Sequence, residues 1–105
     1  MARTIRMFNN IRRWATDRGI YAFGDTKTQT IKMMEELGEF SAAVIKQDRK
    51  EMKDALGDML IVLVNLSHLS GFSLEECIEH AYNQIIDRDG KMIGGSFIKN
   101  ESNDK

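Results

Sequence analysis

No proline occurs in the 105 residues, so nothing of that kind ends or kinks a helix. There is one cysteine, Cys77, which rules out an internal disulfide and fits a reducing cytoplasm. No run of eighteen or more apolar residues is present, which excludes a spanning helix. The first twenty residues contain five arginines but no continuous apolar segment, so a secretory signal is not expected, and Trp14–Ile20 reads as domain, not leader. Charge of one sign is also lacking: 15 basic residues stand against 16 acidic ones, for a net charge of −1. That balance argues against a nucleic-acid-binding surface, and the arginines are better assigned to phosphate capture or to a solvated helix face. No repeat and no low-complexity segment is visible. What remains is a 42% hydrophobic, 30% charged chain of one domain's length, residues 1–105.

Apolar periodicity predicts four helices. The first runs from about Thr4 to Arg18 and carries Ile5, Phe8, Ile11 and Ala15 on one face. After the linker Ile20–Gly24, a second begins at Asp25 or Thr26, either a suitable N-cap, and continues to about Gln47. The third spans about Arg49 to Ser70, with Gly71 ending it. Ser73 and Glu76 form an S-x-x-E capping box for the fourth, whose apolar face holds Leu74, Cys77, Ile78, Ala81, Tyr82, Ile85 and Ile86, and which Gly90 closes. Residues 91–99, KMIGGSFIK, suit a two-residue Gly-Gly hairpin or an extended arm. Residues 100–105 are expected to fray. Phe8, Trp14 and Phe23 are assigned to the core, not to base stacking. Cys77 is read as inert packing. Neither His68 nor His80 has metal-ligand spacing to another histidine.

Two stretches echo each other: EELGEF at 35–40 and DALGDM at 54–59. At about 100° per residue, Glu35, Glu36 and Glu39 share one arc of the second helix with Lys32. Glu51, Asp54, Asp58 and Asn65 form a stripe on the third. A solvated face accounts for Lys50, Glu51 and Lys53. It accounts poorly for Asp58 and Asn65, at the edge of and within the apolar run Met59–Leu66. Gly38 and Gly57 each cost about 1 kcal/mol against alanine in a helix interior, which suggests close approach of two helix backbones there. Two helices drawn together in this way concentrate five or six carboxylates. A divalent cation is the natural counterion, and oxygen ligands favour Mg²⁺ or Mn²⁺ over Zn²⁺.

These residues carry a resemblance. The pattern EELGEF…DALGDMLIVLVNL, extended by WATDRGI and QTIKMMEE upstream and SLEECIEHAYNQIIDR downstream, resembles the MazG-type all-α nucleoside triphosphate pyrophosphohydrolases. Their signature is E-x-x-E followed by E-x-x-D. Glu36 and Glu39 match the first half, Asp58 matches the aspartate of the second, and Asn65 matches the asparagine of VNL. The resemblance implies an all-α four-helix bundle that hydrolyses a nucleotide to its monophosphate and pyrophosphate. It implies Glu36, Glu39 and Asp58 as ligands of Mg²⁺, with Mn²⁺ an alternative. Glu35 or Asp54 would be a further ligand or would orient the attacking water. Asn65 would face the nucleoside, and Lys32, Arg88 and Lys91 are the candidates for phosphate. It also implies a homodimer or homotetramer with a shared site. Two positions depart from the family: Ala55 replaces the second glutamate, and Gln84 replaces a lysine. Asp54 or Glu51 is expected to supply the missing carboxylate. The alternatives are a superfamily relative acting on phosphoribosyl-ATP and a non-enzymatic helical oligomer or regulator with a degraded site.

Overall fold

The computed structural model describes residues 2–100. Five helices are followed by a hairpin: α1 (Ala2–Asp17), α2 (Ile20–Phe23), α3 (Thr26–Lys46), α4 (Arg49–Leu69), α5 (Leu74–Ile85), β1 (Gly90–Ile93) and β2 (Ser96–Lys99). The fold is all-α with a short C-terminal hairpin. The chain divides into two compact units, one ending at Glu75 and one starting at Glu76.

In the first unit the dominant element is the α3–α4 pair. Two residues join it, and each has a defined task. Gln47 ends α3 in the left-handed conformation, φ 59°, with its N–H on the carbonyls of Ala43 and Val44. Asp48 caps α4, its side chain accepting from the Glu51 N–H at 3.1 Å. Asp25 caps α3 in the same way, accepting from the Thr28 N–H at 2.7 Å. That hydrogen bond, made to the charged carboxylate, holds Asp25 below its ordinary pKa. So short a connection lays α3 and α4 side by side as a helical hairpin, against which α1 and α2 pack through α4.

The core is small. Phe8 and Ala15 of α1, Ala43 of α3, Ala55, Val62 and Val64 of α4, and Leu74 are buried. Arg12 of α1 forks onto both carboxylate oxygens of Glu75, with Nη1–Oε1 at 3.0 Å. This pair lowers the pKa of Glu75. Tyr21 of α2 donates its hydroxyl to Asn65 Oδ1 at 2.8 Å and stacks on the His68 ring at a centroid distance of 3.9 Å.

Several expectations change here. The linker 20–24 contains the short helix α2. Trp14 and Phe23 are 44% and 90% exposed, so of the three aromatic residues assigned to the core only Phe8 belongs to it. Gly38 and Gly57 do not mark a close approach within the chain, since a Cβ at either would meet nothing within 4 Å. Met59–Leu66 is not buried all round: Val62 and Val64 are buried, whereas Leu60 is 40% exposed.

In the second unit α5 stops at Ile85, and Gly90 opens β1 instead of closing the helix. The strands pair antiparallel from Gly90↔Lys99 to Ile93↔Ser96. Gly94 and Gly95 turn between them at φ +58° and +85°, the sign pattern of a type I′ turn, which side chains resist. The Asn100 N–H closes the hairpin on the Asp89 carbonyl at 2.8 Å. The tail expected to fray lies, apart from Asn100, outside the described residues. Among the described residues no single helix is long and apolar enough to cross a membrane.

Candidate active site

The α3–α4 hairpin brings the two carboxylate arcs together. Glu39 of α3 lines a cleft of about 470 Å³ with Glu51, Lys53, Asp54, Ala55, Gly57, Asp58 and Ile61 of α4. Helical spacing explains the α4 contribution, because 51, 54, 58 and 61 recur every three or four residues. Ala55 is only 4% exposed. It forms wall where the family pattern has a glutamate.

Glu36 stands one turn before Glu39. Its Oε1 is shut off from solvent and has no hydrogen-bond partner. Leaving such an acceptor unmet costs on the order of 1–3 kcal/mol. Burial raises its pKa above the ordinary 4.5, and the negative charges of Glu39, Asp58 and, more weakly, Glu35 push the same way. Lys32 opposes them. Carboxylates from both helices therefore act on one another across the hairpin.

The other candidates are placed as follows. Glu35 and Lys32 are exposed on α3. Asp54 accepts from the Lys50 ammonium at 3.2 Å, an exposed i,i+4 pair. Asn65, 3% exposed, stands one turn beyond Ile61 on α4 with its Oδ1 held by Tyr21. Arg88 and Lys91 are exposed residues of the second unit. Lys53 belongs to the cleft although the sequence suggested only a solvated face. Its position one residue before Asp54, on the flank of the acidic stripe, is the signal that could have found it.

The donor set is a fit for a hard divalent cation. It consists of carboxylate oxygens, and the orphaned Glu36 oxygen is the kind of group an ion satisfies. As the side chains stand, no three His, Cys, Asp or Glu residues among those described converge closely enough to hold one.

The chain is thus all-α and sets E-x-x-E on α3 against an acidic stripe on α4. A family model for the MazG nucleotide pyrophosphohydrolase domain matches residues 25–93, from the cap of α3 to the end of β1, and the chain belongs to that family. It is also 37% identical over 67 residues to an uncharacterised 18.2 kDa protein from the rep-hol intergenic region of Haemophilus phage HP1 (strain HP1c1). That match covers 64% of this chain and 41% of the phage protein, so the chain spans less than half of that relative's length. No solved structure matches it.

Proposed function

We propose that this protein hydrolyses a nucleoside triphosphate or related nucleotide to the monophosphate and pyrophosphate. Water attacks the α-phosphorus, and the bond to the oxygen bridging the α- and β-phosphorus breaks. The observation that carries this reading is the set of carboxylates from α3 and α4 around one cleft, with an unsatisfied Glu36 oxygen one turn before Glu39 on α3.

Glu36, Glu39 and Asp58 would hold Mg²⁺, or Mn²⁺ in its place. When bound, such an ion neutralises phosphate charge and lowers the pKa of water. Glu35 or Asp54 orients the attacking water and takes its proton. Lys53, at the cleft, and Lys32, beside Glu36, offset phosphate charge. Asn65, its carbonyl fixed by Tyr21, turns its amide group toward the nucleoside. A homodimer or homotetramer completes the assembly. We place it in the cytoplasm, where Cys77 stays a free thiol.

A panel of ribo- and deoxyribonucleoside triphosphates with Mg²⁺, assayed for pyrophosphate release against a metal-free control, tests the reading. Metal-dependent release from at least one triphosphate is expected. Cleavage of phosphoribosyl-ATP alone would move the chain to that activity. No release from any member would leave the non-enzymatic oligomer, a reading that Ala55 in the cleft wall favours.

A further inference from the structure

Ile61 has two sides. On one it closes the acidic cleft beside Asp58. On the other it lines a second cavity of about 310 Å³ together with Met7, Asn10, Ile11 and Trp14 of α1. Ile61 thus borders both cavities. The second differs in chemistry: its lining is apolar apart from the Asn10 amide. Its volume lies at the lower end of small-molecule sites, about 300–1,000 Å³.

Trp14 is unusual in this position. An indole on an inward helix face ordinarily finishes in the core, yet this one is 44% exposed and opens into the cavity. The Arg18 guanidinium lies 4.9 Å from its ring centroid and helps to hold the ring. Asn10 Oδ1 accepts from Arg13 at 3.2 Å, which leaves its NH₂ group to donate elsewhere. A flat aromatic surface with one oriented amide suits a flat heteroaromatic ring that has hydrogen-bonding edges. Nucleobases are such rings, and stacking tolerates any of them while an amide discriminates among them.

We infer that the α1–α4 cavity is the nucleobase subsite, with Trp14 stacking on the base and Asn10 reading its edge. This rests on the proposed hydrolase reading, which sets the phosphates in the acidic cleft. From there the substrate passes over Ile61, so the phosphates meet Lys53 and the carboxylates while the base reaches α1. Asn65, one turn beyond Ile61 on α4, is on the sugar's side of that path. The specificity of the enzyme then resides in α1, outside the segment 25–93 that carries the family pattern.

Trp14 is the only tryptophan, so its fluorescence reports on this cavity alone. Wild-type protein with Mg²⁺ is titrated with the four common nucleoside monophosphates and with ribose 5-phosphate, none of which contains an anhydride to cleave. Saturable quenching by monophosphates, with none by ribose 5-phosphate, is expected, and Asn10→Ala should change the order of affinity among the bases. In steady-state hydrolysis, Trp14→Ala should raise KM by about 5- to 50-fold and alter kcat less than about threefold. Hydrolysis with no quenching, and with KM unchanged in Trp14→Ala, would overturn the subsite and leave the hydrolase reading standing. Quenching without hydrolysis of any triphosphate would support the subsite and remove the hydrolase reading. Emission that follows protein concentration but not nucleotide would give the cavity to a second copy of the chain and overturn the inference.

Discussion

Glu36 concentrates the electrostatics of the site in one side chain. Its folded pKa lies above the ordinary value, so the folded state binds its proton more tightly than the unfolded chain does. The penalty is absent below the unfolded pKa, near 4.5, and is fully present once pH exceeds the raised value. Glu36→Gln removes it. The metal-free melting temperature of the variant should rise relative to wild type at neutral pH, with the gap closing below about pH 4.5. The same substitution should abolish the rise in melting temperature that millimolar Mg²⁺ produces by linkage in the wild type. Thermal melts across pH, with and without metal, measure both; a wild-type melting temperature indifferent to tens of millimolar Mg²⁺ would contradict the metal assignment. Asp54 tests the departure at Ala55. Its pair with Lys50 is exposed, so Asp54→Asn should change stability by less than about 0.5 kcal/mol. If Asp54 supplies the missing carboxylate, activity should fall by about 100-fold, comparable with losing one electrostatic or positioning group. Pyrophosphate release near the wild-type rate at every metal concentration would transfer that role to Glu51.

At the scale of elements, Gly38 offers a clean prediction. It is inside α3 and has open space where a Cβ would go. Gly38→Ala should therefore raise stability by about 0.5–1 kcal/mol through helix propensity alone. Chemical denaturation of the two proteins measures it, and a loss of stability would put another backbone against that position. The sequence misled here because a glycine inside a helix has the same signature whether a neighbour approaches it or not. Other elements were legible because their signals are local. Asp25 is a cap by chemistry, and the Gly94–Gly95 turn needs positive φ. The helix α2 was not legible, being four residues held between two glycines, about one turn and too short for a period to repeat. Trp14 and Phe23 were misplaced because an apolar face shows which side of a helix can be buried and says nothing of what covers it. Of the site, helical spacing showed which carboxylates share a face. The Tyr21–Asn65 bond and the place of Ile61 at both cavities join residues distant in sequence and required the fold.

For the whole molecule, the exposed apolar surface is what an assembly has to cover. Ile31, Met34 and Leu37 of α3 and Leu56 and Leu60 of α4 are 40–67% exposed, and Ile45 is 83% exposed. The proposed homodimer or homotetramer would cover such surface. Light scattering at micromolar concentration should then give at least twice the 12.0 kDa of one chain. Leu60→Glu, at an exposed position, should shift the mass toward one chain, whereas Val62 is buried within the chain and its substitution would test folding instead. A mass of one chain for fully active wild type would remove the oligomer. The central claim is the position of attack. Hydrolysis in ¹⁸O-labelled water, read by mass spectrometry of the products, tests it most directly. The account predicts one ¹⁸O in the nucleoside monophosphate and none in the pyrophosphate. Label in pyrophosphate or in orthophosphate would place the attack at the β- or γ-phosphorus and contradict it.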